Sequence, residues 1–253
     1  MLKLYIGNKN YSSWSMRPWV LLKQAGIPFE EIKLRFDSFD ADSGFKTQIG
    51  PVNPAGKVPA LDDDGLVVWD SLAIAEYLAE RFPDKHLWPA SVPARARARS
   101  VCAEMHSGFA ALRSACPMNI EADLADVGQL IWRDKPAVRA DVERLVAMWR
   151  ALLAEHQGPL SNAGPPQGAN APLGGRETKP TVGAQFLFGD FSIADAFFAP
   201  VCMRLKRYAL PVPADIAAYI ERLCALPGVQ AWVAGALAER DFRAFEEPYR
   251  LQH

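Results

Sequence analysis

The chain has 253 residues, half of them hydrophobic, and a net charge of −1 at neutral pH. This length suits one large domain or two ordinary ones, with enough apolar residues for a substantial core. The balanced charge argues against nucleic acid or an anionic membrane surface as a partner. The sequence also has no apolar run of the roughly 18 residues that a membrane-spanning helix needs. We therefore expect a cytoplasmic protein whose partners include neither nucleic acid nor a membrane.

The first third of the chain alternates strand and helix patterns. Residues 2–6 alternate apolar and polar side chains, which predicts a strand rather than a signal peptide, and residues 29–34 predict a second strand. Between them, residues 12–25 predict a helix. Pro18 places the start of this helix near residues 15–17, because proline fits a helix best in its first turn.

A hairpin and a helix follow. Short apolar runs at residues 58–61 and 66–69 flank an acidic turn that ends in Gly65, a strong hairpin signal. Residues 71–81 then return apolar side chains at helical spacing. With a short helix within residues 37–49, the order becomes βαβαββα, which looks like a thioredoxin-like α/β fold.

Beyond a linker at residues 82–89 the sequence is mostly helical in pattern. Residues 158–184 are the exception, because they are rich in Gly and Pro and poor in large apolar side chains, which indicates a long insertion. We predict an α/β domain at residues 1–82 and an all-helical domain at residues 90–253. The predicted helices of the second domain cover residues 93–115, 135–156, 192–208, 214–225 and 229–237.

The cysteines carry no chemical motif. They are far apart, lie in apolar helical contexts and show neither Cys-x-x-Cys nor metal-ligand spacing, so we predict buried free thiols and no metal site. A redox enzyme of thioredoxin type would need a cysteine near the start of the first helix, and none is there. The residues are Cys102, Cys116, Cys202 and Cys224.

The hairpin and the helix after it contain a candidate binding site. Pro59 donates no ladder hydrogen bond, which leaves the Val58 backbone free to face a ligand, and we predict a cis Val58–Pro59 bond for this geometry. Asp70 and Ser71 place a carboxylate, a hydroxyl and free amides together at a helix start. Such a site suits a ligand that carries both an ammonium and a carboxylate group.

This order of Val-Pro, acidic hairpin and Asp-Ser resembles the glutathione site of the cytosolic glutathione transferase family. The resemblance implies a thioredoxin-like domain followed by an all-α domain, glutathione as cosubstrate and a homodimer. It implies that the Val58 backbone, next to Pro59, pairs with the cysteinyl amide of glutathione. Asp70 and Ser71 would hold the γ-glutamyl end, and Lys57 either meets the glycyl carboxylate or is a solvated surface lysine.

A second point of resemblance lies in the helical part. Ser192 and Asp195 stand three residues apart before an apolar run, which predicts a capping box. The motif resembles the buried helix cap in the C-terminal domain of glutathione transferases, and we interpret it as structural.

The first helix supplies the predicted chemistry. A free thiol with a pKa near ~8.5 is mostly protonated at neutral pH, so an enzyme must stabilise its thiolate. The positive end of the helix and the hydroxyls of residues 11–15 are suitable for this. The stretch from Ser12 to Arg17 resembles the serine-type active site of zeta-class glutathione transferases, which include maleylacetoacetate isomerase, with Trp14 in place of the class's cysteine.

On that pattern Ser13 activates the thiolate and Ser12 is its neighbour. Tyr11 is the rival, because other classes use a tyrosine after the first strand. The alternative for the serines is ordinary helix capping.

Three functions remain open from the sequence. The first is transfer of glutathione to small electrophiles, the second is glutathione-dependent cis-trans isomerisation, and the third is a non-catalytic scaffold. The electrophile would bind between the domains. His106, Arg113 and Arg207 are possible lining residues, although we favour the interpretation that they are solvated side chains on a helix face or at a helix end.

Overall fold

The computed structural model describes residues 1–156 and 186–250. The insertion predicted at residues 158–184 lies outside the described residues. No helix in the described ranges is long and apolar enough to cross a membrane.

The first 81 residues fold into a four-stranded sheet with three helices, in the predicted order βαβαββα. The strand order is β2-β1-β3-β4, with β1 parallel to β2 and antiparallel to β3, and β3 antiparallel to β4. The elements are β1 (Leu2–Ile6), α1 (Ser13–Gln24), β2 (Glu30–Lys33), α2 (Gly44–Ile49), β3 (Ala60–Asp63), β4 (Leu66–Trp69) and α3 (Ser71–Arg81).

The two faces of the sheet are covered by different helices. Leu4 and Leu61 are register partners whose side chains join the main core with α1 and α3. A separate apolar cluster joins Phe45 and Ile49 of α2 to Ala60 of β3. This division follows from the two-residue period of a strand, which sends alternate side chains to opposite faces. The β3–β4 turn has positive φ angles at Asp64 (50°) and Gly65 (98°), as tight hairpin turns require.

The rest of the described chain is helical, apart from two isolated bridges within residues 186–190. The architecture is therefore a thioredoxin-like α/β domain followed by an all-α domain, as the sequence predicted. The helices are α4 (Val92–Ser107), α5 (Ala110–Ala115), α6 (Ala125–Asp134), α7 (Pro136–His156), α8 (Ile193–Arg207), α9 (Ala214–Cys224) and α10 (Pro227–Glu239), with short 3₁₀ turns at Pro83–Lys85 and Ala244–Glu246.

Two sequence predictions of helices are wrong in detail, and one helix was missed. The single helix predicted at residues 93–115 is broken, because Phe109 takes a left-handed backbone (φ 54°) and a new helix begins after it. Helix α1 begins at Ser13 rather than at residues 15–17, so Pro18 lies in its second turn. Helix α6 was not predicted.

The predicted capping box at the start of α8 is confirmed. The Ser192 hydroxyl accepts from the Ala194 amide (3.3 Å), and Asp195 Oδ2 accepts from the Ser192 amide (3.0 Å). Oδ1 of the fully buried Asp195 accepts from the Leu187 amide (3.1 Å) and the Tyr219 hydroxyl (3.0 Å). Burial raises the pKa of Asp195 to about 6, although these hydrogen bonds oppose the rise.

We predict that Asp195→Ala strongly destabilises the fold. The Leu187 amide, the Ser192 amide and the Tyr219 hydroxyl would lose a buried acceptor, and one buried unsatisfied donor costs about 1–3 kcal/mol. The free energy of unfolding should fall by about 3 kcal/mol or more in urea denaturation. The exposed Asp190 gives the matched control, because Asp190→Ala should change this free energy by less than about 0.5 kcal/mol. Equal effects of the two variants would contradict the structural role of Asp195.

Candidate functional site

Two adjoining pockets lie where the N-terminus of α1 meets the β3–α3 region and the helical domain. The first has a volume of about 490 Å³ and the second about 450 Å³. Both are lined by Trp14, Lys57, Val58 and Arg113, so they share a wall. The second pocket has walls from the α/β domain and from the helical domain. This is the arrangement that the sequence analysis expected for a small-molecule site.

The predicted binding residues all line the first pocket. Lys57, Val58, Pro59, Asp70 and Ser71 lie around it, and the Val58–Pro59 bond is cis as predicted. The loop before β3 that contains Lys57 is fixed by a hydrogen bond, in which the Asn53 side-chain amide donates to the Lys57 carbonyl at 2.8 Å. The structure thus brings these residues together, while their roles in binding stay a prediction.

Asp70 is held in a strained conformation at the start of α3. Its φ of 74° is unusual for a residue with a side chain, and such strain collects at functional sites. Oδ1 caps the helix by accepting from the Leu72 amide at 2.8 Å. Oδ2 lies 3.2 Å from Nε2 of His106. The carboxylate is therefore fixed at the edge of the pocket.

Two polar atoms beside Asp70 have no hydrogen-bond partner among the residues that the structure describes. They are the Ser71 hydroxyl and Nδ1 of His106, and both atoms are buried. The His106 ring packs edge-on against Trp14, with 5.2 Å between the ring centroids. Because an unsatisfied buried polar group is costly, its presence in a pocket is typical of a site that binds a polar ligand.

The serines at the start of α1 line the second pocket together with Tyr11. The Ser12 hydroxyl donates to the Ser15 hydroxyl at 2.8 Å and makes no capping hydrogen bond. The Ser13 hydroxyl accepts from Nη2 of Arg204 at 3.2 Å. Helix capping therefore does not account for the hydroxyls of Ser12 and Ser13, and Ser13 keeps a proton to donate.

The hydroxyl of Tyr11 is already engaged by the C-terminal segment. It donates to Oε1 of Glu247 at 2.7 Å and accepts from the Arg243 amide at 3.1 Å. Burial, followed by the contact with Glu247, raises the pKa of Tyr11 well above its ordinary value. These contacts count against Tyr11 as the group that faces a bound anion.

Three arginines surround Trp14 and Ser13. The guanidinium carbon of Arg17 lies 4.0 Å from the Trp14 ring centroid and that of Arg113 lies 5.0 Å from it, within cation–π range. Arg17 is only 1% exposed and Arg204 only 5%. In the described part of the chain, none of the three forms an ion pair with an acidic side chain. Burial, followed by Arg204 and Arg113, lowers the pKa of Arg17.

Sequence reasoning missed Arg17 and Arg204 as site residues. Arg204 lies near the C-terminal end of α8, where the helix dipole alone favours a cation, so its sequence position does not point to a site. The available signal was its position in an otherwise apolar run from Phe197 to Leu205, where a charged residue is unusual.

Two of the other three candidate lining residues line a pocket, and one does not. His106 lines the first pocket and Arg113 lines both, whereas Arg207 lines neither. Among the described residues, no cluster of three or more His, Cys, Asp or Glu side chains suits a metal ion. All four cysteines are buried and free.

The fold and these pockets define a protein with a thioredoxin-like domain, an all-α domain and two adjoining pockets lined by residues of both domains. Residues 11–81 match the family model described as "Glutathione S-transferase, N-terminal domain". A probable maleylacetoacetate isomerase of Caenorhabditis elegans is 33% identical over 111 residues, covering 44% of this chain and 49% of that protein. Glutathione S-transferase Z1 of Arabidopsis thaliana is 39% identical over 95 residues, covering 35% and 40%.

A solved structure extends the similarity to nearly the whole chain. The crystal structure of a glutathione transferase homologue from Burkholderia, with bound glutathione, covers 95% of this chain and 99% of its own, with 26% identity and a TM-score of 0.61. Residues 11–81 are therefore assigned to the N-terminal domain of the glutathione S-transferase family, and nearly the whole chain is similar in structure to a glutathione transferase homologue. The sequence alignments span about half the length of the curated relatives, 49% and 40% for the two given.

We predict that Ser71→Ala does not destabilise the ligand-free protein. The substitution removes a buried hydroxyl with no partner in the described ranges, so the free energy of unfolding should stay unchanged or rise by up to about 1 kcal/mol. Ser43→Ala is the matched control. The Ser43 hydroxyl caps α2 by accepting from the Lys46 amide at 3.1 Å, and its loss should cost about 1 kcal/mol. Urea denaturation compares the two variants, and a larger loss for Ser71→Ala would contradict this account.

Proposed function

We propose that the protein is a glutathione transferase that binds reduced glutathione in the first pocket and directs its thiolate at a small electrophile in the second. One observation carries the proposal. The Ser13 hydroxyl lies at the positive end of α1, makes no cap and lines a pocket that shares Val58 with the predicted glutathione pocket. A hydroxyl donor and a helix N-terminus are both suited to stabilise a thiolate.

The proposed contacts follow the shape of glutathione. The Val58 backbone, fixed by Pro59, pairs with the cysteinyl part and so directs the sulfur towards Ser13. Asp70 and Ser71 hold the γ-glutamyl ammonium and carboxylate groups, and Lys57 meets the glycyl carboxylate. The strained Asp70 and the unsatisfied Ser71 hydroxyl support this assignment, because a ligand would use both. No metal takes part in the proposed reaction.

A glutathione-dependent isomerase is the second candidate. Here the thiolate adds to one carbon of a cis double bond and is expelled again after rotation about the resulting single bond, so no net transfer occurs. The arginines of the second pocket favour this candidate, since Arg113 and Arg204 suit a substrate carboxylate. A non-catalytic scaffold would have no use for the free Ser13 proton.

Glutathione binding is the first test. We expect calorimetry to detect binding of reduced glutathione by the purified protein, and we expect Ser71→Ala and Asp70→Asn to weaken it. No binding at millimolar glutathione would end the proposal. A panel of electrophiles together with maleylacetone, assayed with and without glutathione, then separates transferase from isomerase activity.

We predict that Ser13→Ala slows the reaction while glutathione affinity stays nearly intact, because the other proposed contacts lie elsewhere. Loss of one charge-assisted hydrogen bond is worth roughly 1.5–3 kcal/mol, about ten- to over a hundredfold in rate. The pH profile of kcat/KM for the electrophile, measured with the protein saturated by glutathione, should move to higher pH, because it then follows the pKa of the bound thiol. Ser12→Ala and Tyr11→Phe are the controls, and each should lower the rate less than Ser13→Ala does. If Tyr11→Phe raises the apparent pKa of the bound thiol and Ser13→Ala leaves it unchanged, Tyr11 and not Ser13 stabilises the thiolate.

We also propose that the protein is a homodimer and that it is located in the cytoplasm. The edge strand β4 leaves Leu66 55% exposed, and Val92 at the start of α4 is 67% exposed, both typical of surfaces that a second copy covers. The buried free thiols are the state expected in a reducing compartment. We retain the domain division at residues 82–89 as part of this proposal.

We predict the mass of two chains in light scattering at micromolar concentration. The apolar side chains exposed on β4 and α4 supply the contact surface, so a charge at Leu66 should weaken it. Leu66→Glu tests this, with Leu130→Glu as the control on α6, where the side chain is 51% exposed. A monomeric mass for the unmodified protein would refute the dimer.

A further inference from the structure

Arg204 is buried in the middle of the site, and the groups to which it donates within the described residues are neutral. Nε donates to the Cys116 carbonyl at 2.8 Å, and Nη1 donates to the Pro200 carbonyl at 3.3 Å. Nη2 donates to the Ser13 hydroxyl at 3.2 Å. The guanidinium is thus fixed at three positions, and one of them is the hydroxyl that the proposed function uses.

Among the residues that the structure describes, Arg204 forms no ion pair with an acidic side chain. Arg113 is its cationic neighbour, and burial raises the pKa of both Cys116 (to about 12) and Tyr208, so these two stay neutral at pH 7. Burial lowers the pKa of Arg204 to about 10, which still leaves it protonated at that pH. A buried cation without a counterion is costly, so its presence in a pocket wall points to an anionic ligand.

The direction of the hydrogen bond between Arg204 and Ser13 determines what the Ser13 hydroxyl can do. Because Arg204 is always a donor, Ser13 Oγ is the acceptor, and the serine proton cannot point back at the guanidinium. A hydroxyl that accepts from a cation is also polarised into a stronger donor. The described residues offer this proton no hydrogen-bond acceptor, so it is free to point into the pocket that Ser13 lines.

We propose that Arg204 is a positioning residue for Ser13, which orients and polarises the serine hydroxyl so that it stabilises the anionic sulfur of bound glutathione. This inference rests on the proposed function, since it concerns the same thiol. The residue acts through Ser13 rather than by contact with the reacting atoms.

The test is the ionisation of the bound thiol in Arg204→Met. Ultraviolet difference spectroscopy follows the thiolate of glutathione on the protein as pH is raised. We expect the apparent pKa of the bound thiol to rise by about one unit and kcat/KM at neutral pH to fall about tenfold. Glutathione affinity should stay nearly unchanged, because the proposed contacts lie at Val58, Asp70 and Ser71.

A double-variant cycle tests the path through the serine. In a Ser13→Ala background, Arg204→Met should raise the thiol pKa much less than it does alone, because the group through which it acts is gone. Fully additive shifts would show that Arg204 acts on the sulfur independently of Ser13 and would overturn the positioning role. Arg204→Lys keeps the charge and should bring the pKa back towards the unmodified value.

Other titratable groups require controls. Glu246 is the one carboxylate among the described residues that line this pocket, and burial, followed by Glu247, raises its pKa to about 7. Glu246→Gln therefore shows whether a transition near neutral pH belongs to the thiol. The other titratable residues that line this pocket are Tyr11, Lys46, Lys57 and Arg113. Arg207→Met, three residues along α8 and lining neither pocket, is the matched loss of an arginine and should leave the thiol pKa unchanged.

A purely structural role gives a different result. Arg204 also holds two carbonyls, so Arg204→Met will lower the free energy of unfolding in urea whatever its role at the site. An unchanged thiol pKa in the folded variant overturns the inference. If Arg204→Met does not fold, Arg204→Gln, which is neutral but still donates hydrogen bonds, decides by the same criterion. An unmodified protein that binds no glutathione, or binds it with an ordinary thiol pKa, refutes the proposed function instead.

Discussion

The burial of α1 between the sheet and the helical domain is the constraint on which the site depends. Trp19 of this helix packs edge-on against Trp232 of α10, with 5.3 Å between the rings, and Arg17 donates to the Phe197 carbonyl of α8 at 3.1 Å. The same helix contributes Met16, Val20 and Leu22 to the main core. Because one core runs through both parts of the molecule, the N-terminus of α1 is fixed relative to both pockets.

This constraint buries the guanidinium groups of Arg17 and Arg204 inside the protein, and nearby groups reduce the free-energy cost of that burial. Arg17 stacks on the Trp14 ring and uses a backbone carbonyl, and Arg204 uses two carbonyls and a hydroxyl. These partners satisfy the donors but supply no counter-charge. Together with the unsatisfied Ser71 hydroxyl, they leave a site whose cost a polar, anionic ligand would reduce.

Local signals made the β3–β4 hairpin and the start of α8 predictable from the sequence. The acidic turn ending in Gly65 and the Ser192–Asp195 spacing each determine structure within a few residues, so the sequence alone shows them. The break at Phe109 was not predictable in this way. There Arg113 Nη1 donates to the carbonyls of His106 and Gly108, and this contact exists only once the chain has turned. Arg204 was missed for the same reason, since its partner Ser13 is 191 positions away.

The hydroxyls of Tyr11 and Ser13 differ in their hydrogen-bond partners, and this difference decides which of them suits a thiolate. Tyr11 and Ser13 lie two positions apart beside one pocket, and sequence patterns alone do not choose between them. The phenol donates to the Glu247 carboxylate, so a second anion at that oxygen would be repelled. The serine accepts from a guanidinium, so an anion on its open side is attracted by both the cation and the helix N-terminus. Of the two, only the serine has surroundings that favour a thiolate.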